Sequence, residues 1–222
     1  MCHSSPVLTV ALAVLTGLVA LADWTAVVRE RKDLETWLKP AVLVLLILTV
    51  VAAGALGHTA GVWLAVALVL GLVGDVALLD DTVESRFITG LAAFLVGHLA
   101  YVVCFVILGL TMGWWLAGGI AVMVVALAVG NGVLPGAMRE DGWALVVPIA
   151  VYMAVIAAMT ITAWLTQEWW IAVGASIFVV SDSSLAINKF VKPFRGARPL
   201  IMTTYHVGQA LIAVGVLVLL GS

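Results

Sequence analysis

Apolar stretches of about 20 residues alternate with short polar breaks along the whole chain. About 20 apolar residues at ~1.5 Å each cross a hydrocarbon core of roughly 30 Å. The breaks leave eight predicted spans, at roughly 6–24, 37–56, 60–79, 87–109, 113–134, 142–164, 169–188 and 199–220. The "ALA" before Asp23 resembles a signal-cleavage site, but nothing basic precedes the apolar run, so the first segment is read as a span. The expected fold class is all-α: a polytopic membrane protein, an eight-helix transmembrane bundle forming one domain over 1–222. Composition agrees, with 64% hydrophobic residues, 10% charged residues and a mean hydropathy of +1.24. A soluble domain of this length has no room to hide so much apolar surface. The bilayer is therefore the expected partner, and no nucleic acid is expected. The two cysteines, Cys2 and Cys104, lie far apart in sequence and read as free thiols.

The distribution of charge says more than its sum. Arg29, Arg31, Lys32 and Lys39 follow the first span, Arg86 the third and Arg139 the fifth. Lys189, Lys192, Arg195 and Arg198 close the seventh span and fill the loop after it. These are all ten basic residues, and every one falls on the same side of the predicted bundle. The positive-inside rule makes that side cytoplasmic and places both termini outside a cell membrane.

The chain also carries signs of a repeat. "WLAVALVLGLVGDVALL" at 63–79 and "WIAVGASIFVVSDSSLA" at 170–186 share Trp, Ala, Val, Val, Asp and Leu at a constant shift of 107. "FLVGH" at 94–98 matches "YHVGQ" at 205–209 at a shift of 111. Pro40 and Pro148 sit alike at the starts of spans two and six. A four-plus-four repeat with halves at about 1–112 and 113–222 is expected, both halves sharing one orientation. Asp75 and Asp182 are then equivalent.

Counted from the cytoplasmic ends at ~1.5 Å per residue, Asp75, Asp182 and Tyr205 lie roughly 8–12 Å inside, and His98, Tyr152 and Gln209 roughly 15–18 Å. Asn131 lies near the cytoplasmic end of span five. Phe94, His98 and Tyr101 share one helical face, as do Tyr205 and Gln209. A polar cluster inside the bundle follows. For Asn131, Tyr152 and His206, bonding to a neighbouring helix is reason enough to be polar. For the two aspartates it is not, because asparagine would join helices at a lower desolvation cost. Two carboxylates in low dielectric do not both ionise readily, which suits acid–base work. Ser181, Ser183 and Ser184 flank Asp182 and could donate to an anion, whereas Asp75 has apolar neighbours. The expectation is that Asp75 gives the proton and Asp182 stays ionised.

At these residues the sequence resembles the YhhN-like lysoplasmalogenase family of membrane proteins. The matching pieces are "GD" at 74–75, "FLVGHLAY" at 94–101, "SDSSLAINKF" at 181–190 and "YHVGQALI" at 205–212, with Tyr152 fitting as well. The resemblance covers the chain from about span two onward. His206 departs from the pattern, and no role is carried onto it. The resemblance implies hydrolysis of the vinyl ether of a lysoplasmalogen, a lysophospholipid, with roles for Asp75 and Asp182. The substrate would be held by His98, Tyr205, Gln209, Tyr152, Asn131, Phe94, Tyr101, Ser181 and Lys189. Protonation of the β-carbon, capture of the oxocarbenium ion by water and collapse of the hemiacetal need carboxylates, not a metal or cofactor. Gln209 and Asn131 would hydrogen-bond the glycerol hydroxyl. Lys189, Lys192, Arg195 and Arg198 would meet the phosphate. Three other readings stay open: a proton-coupled carrier, a zinc-dependent lipid hydrolase using His98 and His206, and an inert scaffold. The carrier is weakened because Gly71 and Gly74 of span three have Phe178 and Ser181 as their counterparts. Oligomeric state is left open.

Overall fold

Helices begin and end where the apolar runs meet glycine, proline or a polar turn. The computed structural model describes residues 6–80 and 84–221; Cys2 lies outside them. Among the described residues there are nine α-helices: α1 (Pro6–Val28), α2 (Lys32–Ala52), α3 (Thr59–Ala77), α4 (Glu84–Leu108), α5 (Trp114–Val129), α6 (Val133–Asp141), α7 (Trp143–Leu165), α8 (Trp169–Phe190) and α9 (Ala197–Gly221). Seven are long and apolar enough to cross a membrane, and α5 with α6, bent by 46° at their break, brings the number to eight where the pair counts as one span. The chain is a multi-pass membrane protein. Its side chains are arranged accordingly. Val7, Val10, Val124 and Val125 are all 59% exposed or more, while Asp23, Asp75, His98 and Gln209 are at most 2% exposed. A soluble protein has the opposite bias.

Three boundaries differ from the sequence reading. First, α1 continues past the predicted end near residue 24 to Val28, so Asp23 lies more than a turn inside it. Second, α2 starts at Lys32 and α7 at Trp143, so Pro40 and Pro148 stand inside these helices, not at their starts. Each proline removes one i→i−4 bond, a defect that membrane helices tolerate. Third, span five is not one straight rod. Gly130-Asn131-Gly132 has low helix propensity and separates α5 from α6. At ~1.5 Å per residue the 16 residues of α5 reach only about 24 Å, and α6 carries the chain on.

The helices form two compact units. The first holds α1–α4 and the end of α9; the second holds α5–α8 and α9 up to Ile212. In the first, α3 and α4 approach closely because small residues line the contact. A methyl group added at Gly74 would sit 2.6 Å from the Phe94 ring, and one at Gly97 would sit 3.4 Å from the Ala67 carbonyl oxygen. The Phe94 ring therefore lies on the turn that carries Asp75. Behind it Tyr101 and Phe105 stack at 5.9 Å, against a core that includes Leu43, Val50, Leu64 and Leu68.

In the second unit α8 and α9 meet at Gly174 and Gly208, where a methyl on Gly208 would stand 3.0 Å from the Gly174 carbonyl oxygen. Val133, Ala137, Val146 and Ile149 form a small core between α6 and α7, joined by Ile187 and Phe190 of α8. A tryptophan cluster closes the other end. Trp115 lies 4.7 Å from Trp114 and 4.4 Å from Trp169, and Trp164 packs on both Trp115 and Trp169. These residues sit at the start of α5, the end of α7 and the start of α8, opposite the end marked by Arg139 and Lys189. That is the interfacial position in which tryptophan is enriched.

Gly136 makes the most demanding contact of this unit. A methyl group there would overlap the carbonyl oxygen of Phe190. Gly136→Ala therefore has to push α6 off the end of α8. Its gain in helix propensity, ~1 kcal/mol, is outweighed by overpacking of about 1–3 kcal/mol. A lower unfolding temperature in detergent is expected, and an unchanged or higher one would contradict this packing.

Candidate functional site

The buried polar groups fall into the two units. In the first unit the link Arg29–Arg31 joins α1 to α2 within three residues, so the adjoining ends of the two helices lie side by side. Asp23 is five residues back from the end of α1 and Lys39 seven residues on from the start of α2. At ~1.5 Å per residue both are roughly 8–10 Å from that link. Asp75 approaches the same end of α2 from the last turns of α3. Neighbouring antiparallel helices lean their side chains in opposite directions, each toward its own N-terminus. Lys39 and Asp75 thereby reach each other: Nζ of Lys39 lies 3.3 Å from Oδ1 of Asp75, with the two side chains 6% and 1% exposed. Asp23 is fully buried on α1, level with Lys39 on the adjoining α2. The result is two carboxylates and one ammonium, all buried, with half-buried Glu35 at the margin.

This overturns one premise of the sequence reading. Asp75 has apolar neighbours along its own helix, but across helices it meets a cation. Lys39 was counted as a loop residue marking topology, and it is a buried member of the site. Asp23 escaped as well. The available signal was an acidic residue with apolar residues on both sides, the same signature that singled out Asp75. On α4, His98 and Tyr101 are each 2% exposed. With half-buried Phe94 they present one face.

In the second unit the hydroxyl of Tyr152 donates to Oδ2 of Asp182 at 2.6 Å. Tyr152 is on α7 and Asp182 on α8, and the same opposed lean brings them together although the helix-end count set them a turn apart. This short bond to a carboxylate is charge-assisted in character. Two of the three serines expected to serve Asp182 are engaged elsewhere. Ser181 donates to the Ile201 carbonyl and Ser184 to the Val180 carbonyl of its own helix. Tyr205 is buried edge-on against Phe178 at 5.5 Å, and Gln209, one turn along, is 1% exposed. His206 is buried and packs beside Tyr205.

Two predicted residues do not join this cluster. Asn131 is exposed in the break between α5 and α6, because the helix ends before it. Lys189 is exposed in the last turn of α8, with Lys192, Arg195 and Arg198 exposed beyond it. These four make a cationic rim and not part of the interior. Cys104 is a buried free thiol. Among the described residues no three His, Cys, Asp or Glu side chains group as a metal ion would require.

Comparison with known proteins adds a family to this geometry. The family model described as "YhhN family" matches residues 34–216. "Lysoplasmalogenase" of Mycobacterium tuberculosis (strain CDC 1551 / Oshkosh) is 32% identical over 176 residues, which are 74% of this chain and 65% of the relative. "Lysoplasmalogenase TMEM86B" of Homo sapiens is 33% identical over 153 residues, 68% of this chain and 62% of the relative. "Lysoplasmalogenase TMEM86A" of Homo sapiens is 29% identical over 177 residues, with 71% and 66% covered. The chain thus spans about 65% of the length of the mycobacterial relative it matches. No solved structure matches.

Proposed function

This chain belongs to the YhhN family, and on that footing we propose that it is a lysoplasmalogenase. It hydrolyses the vinyl ether of a lysoplasmalogen to a fatty aldehyde and a glycerophosphoethanolamine or glycerophosphocholine. The observation that carries the reading is the buried Lys39–Asp75 pair. Charge at membrane depth is retained for function far more often than for stability.

The reaction begins when an acid places a proton on the β-carbon of the vinyl ether. The oxocarbenium ion that results needs a nearby anion, and water must lose a proton as it adds. Asp75 is the acid in this reading. Asp182, oriented by the Tyr152 hydroxyl, is the carboxylate that accepts the proton of water. The hemiacetal then collapses to aldehyde and alcohol. His98, Tyr101 and Phe94 shape the surroundings of Asp75, and Tyr205, Gln209 and Ser181 those of Asp182. The exposed Lys189 and its neighbours are suited to a phosphate at the interface. With the basic ends cytoplasmic, the enzyme works from the inner leaflet of the cell membrane and both termini lie outside. A proton-coupled carrier would be expected to interrupt its helices at matching places. The span formed by α5 and α6 is bent, whereas α1 runs unbroken through its predicted counterpart.

Purified protein in detergent tests the proposal by release of aldehyde from a lysoplasmalogen. Wild type should release it, and Asp182→Asn should be slower by about 100-fold or more, the scale of a lost acid–base group. Lipid movement without release would support the carrier, and full activity of Asp182→Asn would remove that residue from the mechanism.

A further inference from the structure

An acid paired with a lysine presents a difficulty. At rest Asp75 faces the Lys39 ammonium at 3.3 Å, so it carries charge and has no proton to give. A supply of protons must lie close by. Asp23 is placed for it: fully buried on α1, at the level of Lys39 on the adjoining α2, whose ammonium meets Asp75. It also lies before residue 34, where the family match begins.

Charge balance decides how the cluster is filled. Two ionised carboxylates and one ammonium would leave a net negative charge in low dielectric, with Glu35 nearby making it worse. One bound proton makes the cluster neutral. That proton can rest on Asp23 with Lys39 paired to Asp75, or on Asp75 with Lys39 turned to Asp23. The net charge is the same in both states, so the exchange carries no large desolvation cost.

We propose that Asp23 is the resting home of a single proton that it shares with Asp75, and that Lys39 serves whichever carboxylate is ionised. Asp23 is a positioning residue that acts through Asp75. In turnover its proton passes to Asp75 and from there to the β-carbon of the vinyl ether. The cluster is then negative beside the positive oxocarbenium ion. Asp182 releases to solvent the proton it took from water, and the cluster takes one proton back from solvent, which restores both. The role in turnover rests on the lysoplasmalogenase reading; the resting protonation does not.

Infrared spectroscopy tests the protonation directly, through the carbonyl stretch of a protonated carboxyl group, read as wild type minus variant in detergent at neutral pH. Asp23→Asn should lose one such band. Asp75→Asn should lose one too, although Asp75 is itself ionised at rest, because Asp23 then ionises beside Lys39. Lys39→Met should gain one. In the aldehyde assay Asp23→Asn should lower kcat about 100-fold or more and leave KM nearly unchanged. A band retained in both Asp→Asn variants overturns the shared proton, as does wild-type kcat in Asp23→Asn. Should Asp23→Asn fail to fold, the Asp75→Asn and Lys39→Met spectra still decide. Should wild type release no aldehyde, the enzymatic reading falls, and the spectra judge the proton separately.

Discussion

Asp75→Asn should insert, fold and turn over at least about 100-fold more slowly than wild type, the low end for a lost general acid. Asparagine keeps the shape of the side chain and its place beside Lys39 but cannot carry a proton to carbon. The fold should survive because Lys39 is not left alone. Asp23 lies level with it on the adjoining helix and takes over as counter-ion. The loss should therefore appear in kcat with little change in unfolding temperature. Aldehyde release and thermal unfolding, measured on one preparation in detergent, check both halves. A variant retaining more than a tenth of the wild-type rate would remove Asp75 as the acid.

Lys39→Met should damage stability more than any other single change in this cluster. Removing one member of a buried ion pair typically costs about 3–5 kcal/mol, because the other charge stays behind without compensation. Here two carboxylates are left. Proton uptake softens the effect without cancelling it. Methionine preserves the bulk of the lysine stem, so a large fall in unfolding temperature reports charge and not a cavity. Replacing both partners of a pair is much milder than replacing one. The double variant Lys39→Met with Asp75→Asn should therefore recover most of the lost stability while remaining inactive. Additive losses in the double variant would show that the two side chains do not depend on each other.

The membrane class, the seven or eight spans and the placing of Asp75 and Asp182 within apolar helices are legible in the sequence, because they follow from apolar length and from the rarity of carboxylates within it. Asp182 and Tyr152 could be placed at neighbouring depths by counting residues. Their direct bond could not, since it depends on how two side chains lean between helices. Lys39 was hidden by its own anatomy. A long flexible stem lets a lysine near a helix start reach either water or a buried acid, and position alone does not choose between them. Asp23 was hidden by the cleavage-like "ALA" before it, although the apolar residues after it continue the helix for another turn. Asn131 erred the other way: a polar side chain in an apolar run looked like part of an interior cluster, when its two flanking glycines mark the break that leaves it outside.

The pairing of Lys39 with Asp75 also bears on how the chain enters the bilayer. An isolated aspartate at the centre of a hydrophobic segment opposes translocon-mediated insertion by about 2.5–3.5 kcal/mol, and a lysine does so comparably. Helices α2 and α3 are consecutive, each carries one of these residues, and the two meet in the finished molecule. The natural unit of biogenesis is thus the hairpin α2–α3, released sideways into lipid as one piece after both segments have left the ribosome, with the ammonium and the carboxylate masking each other on the way.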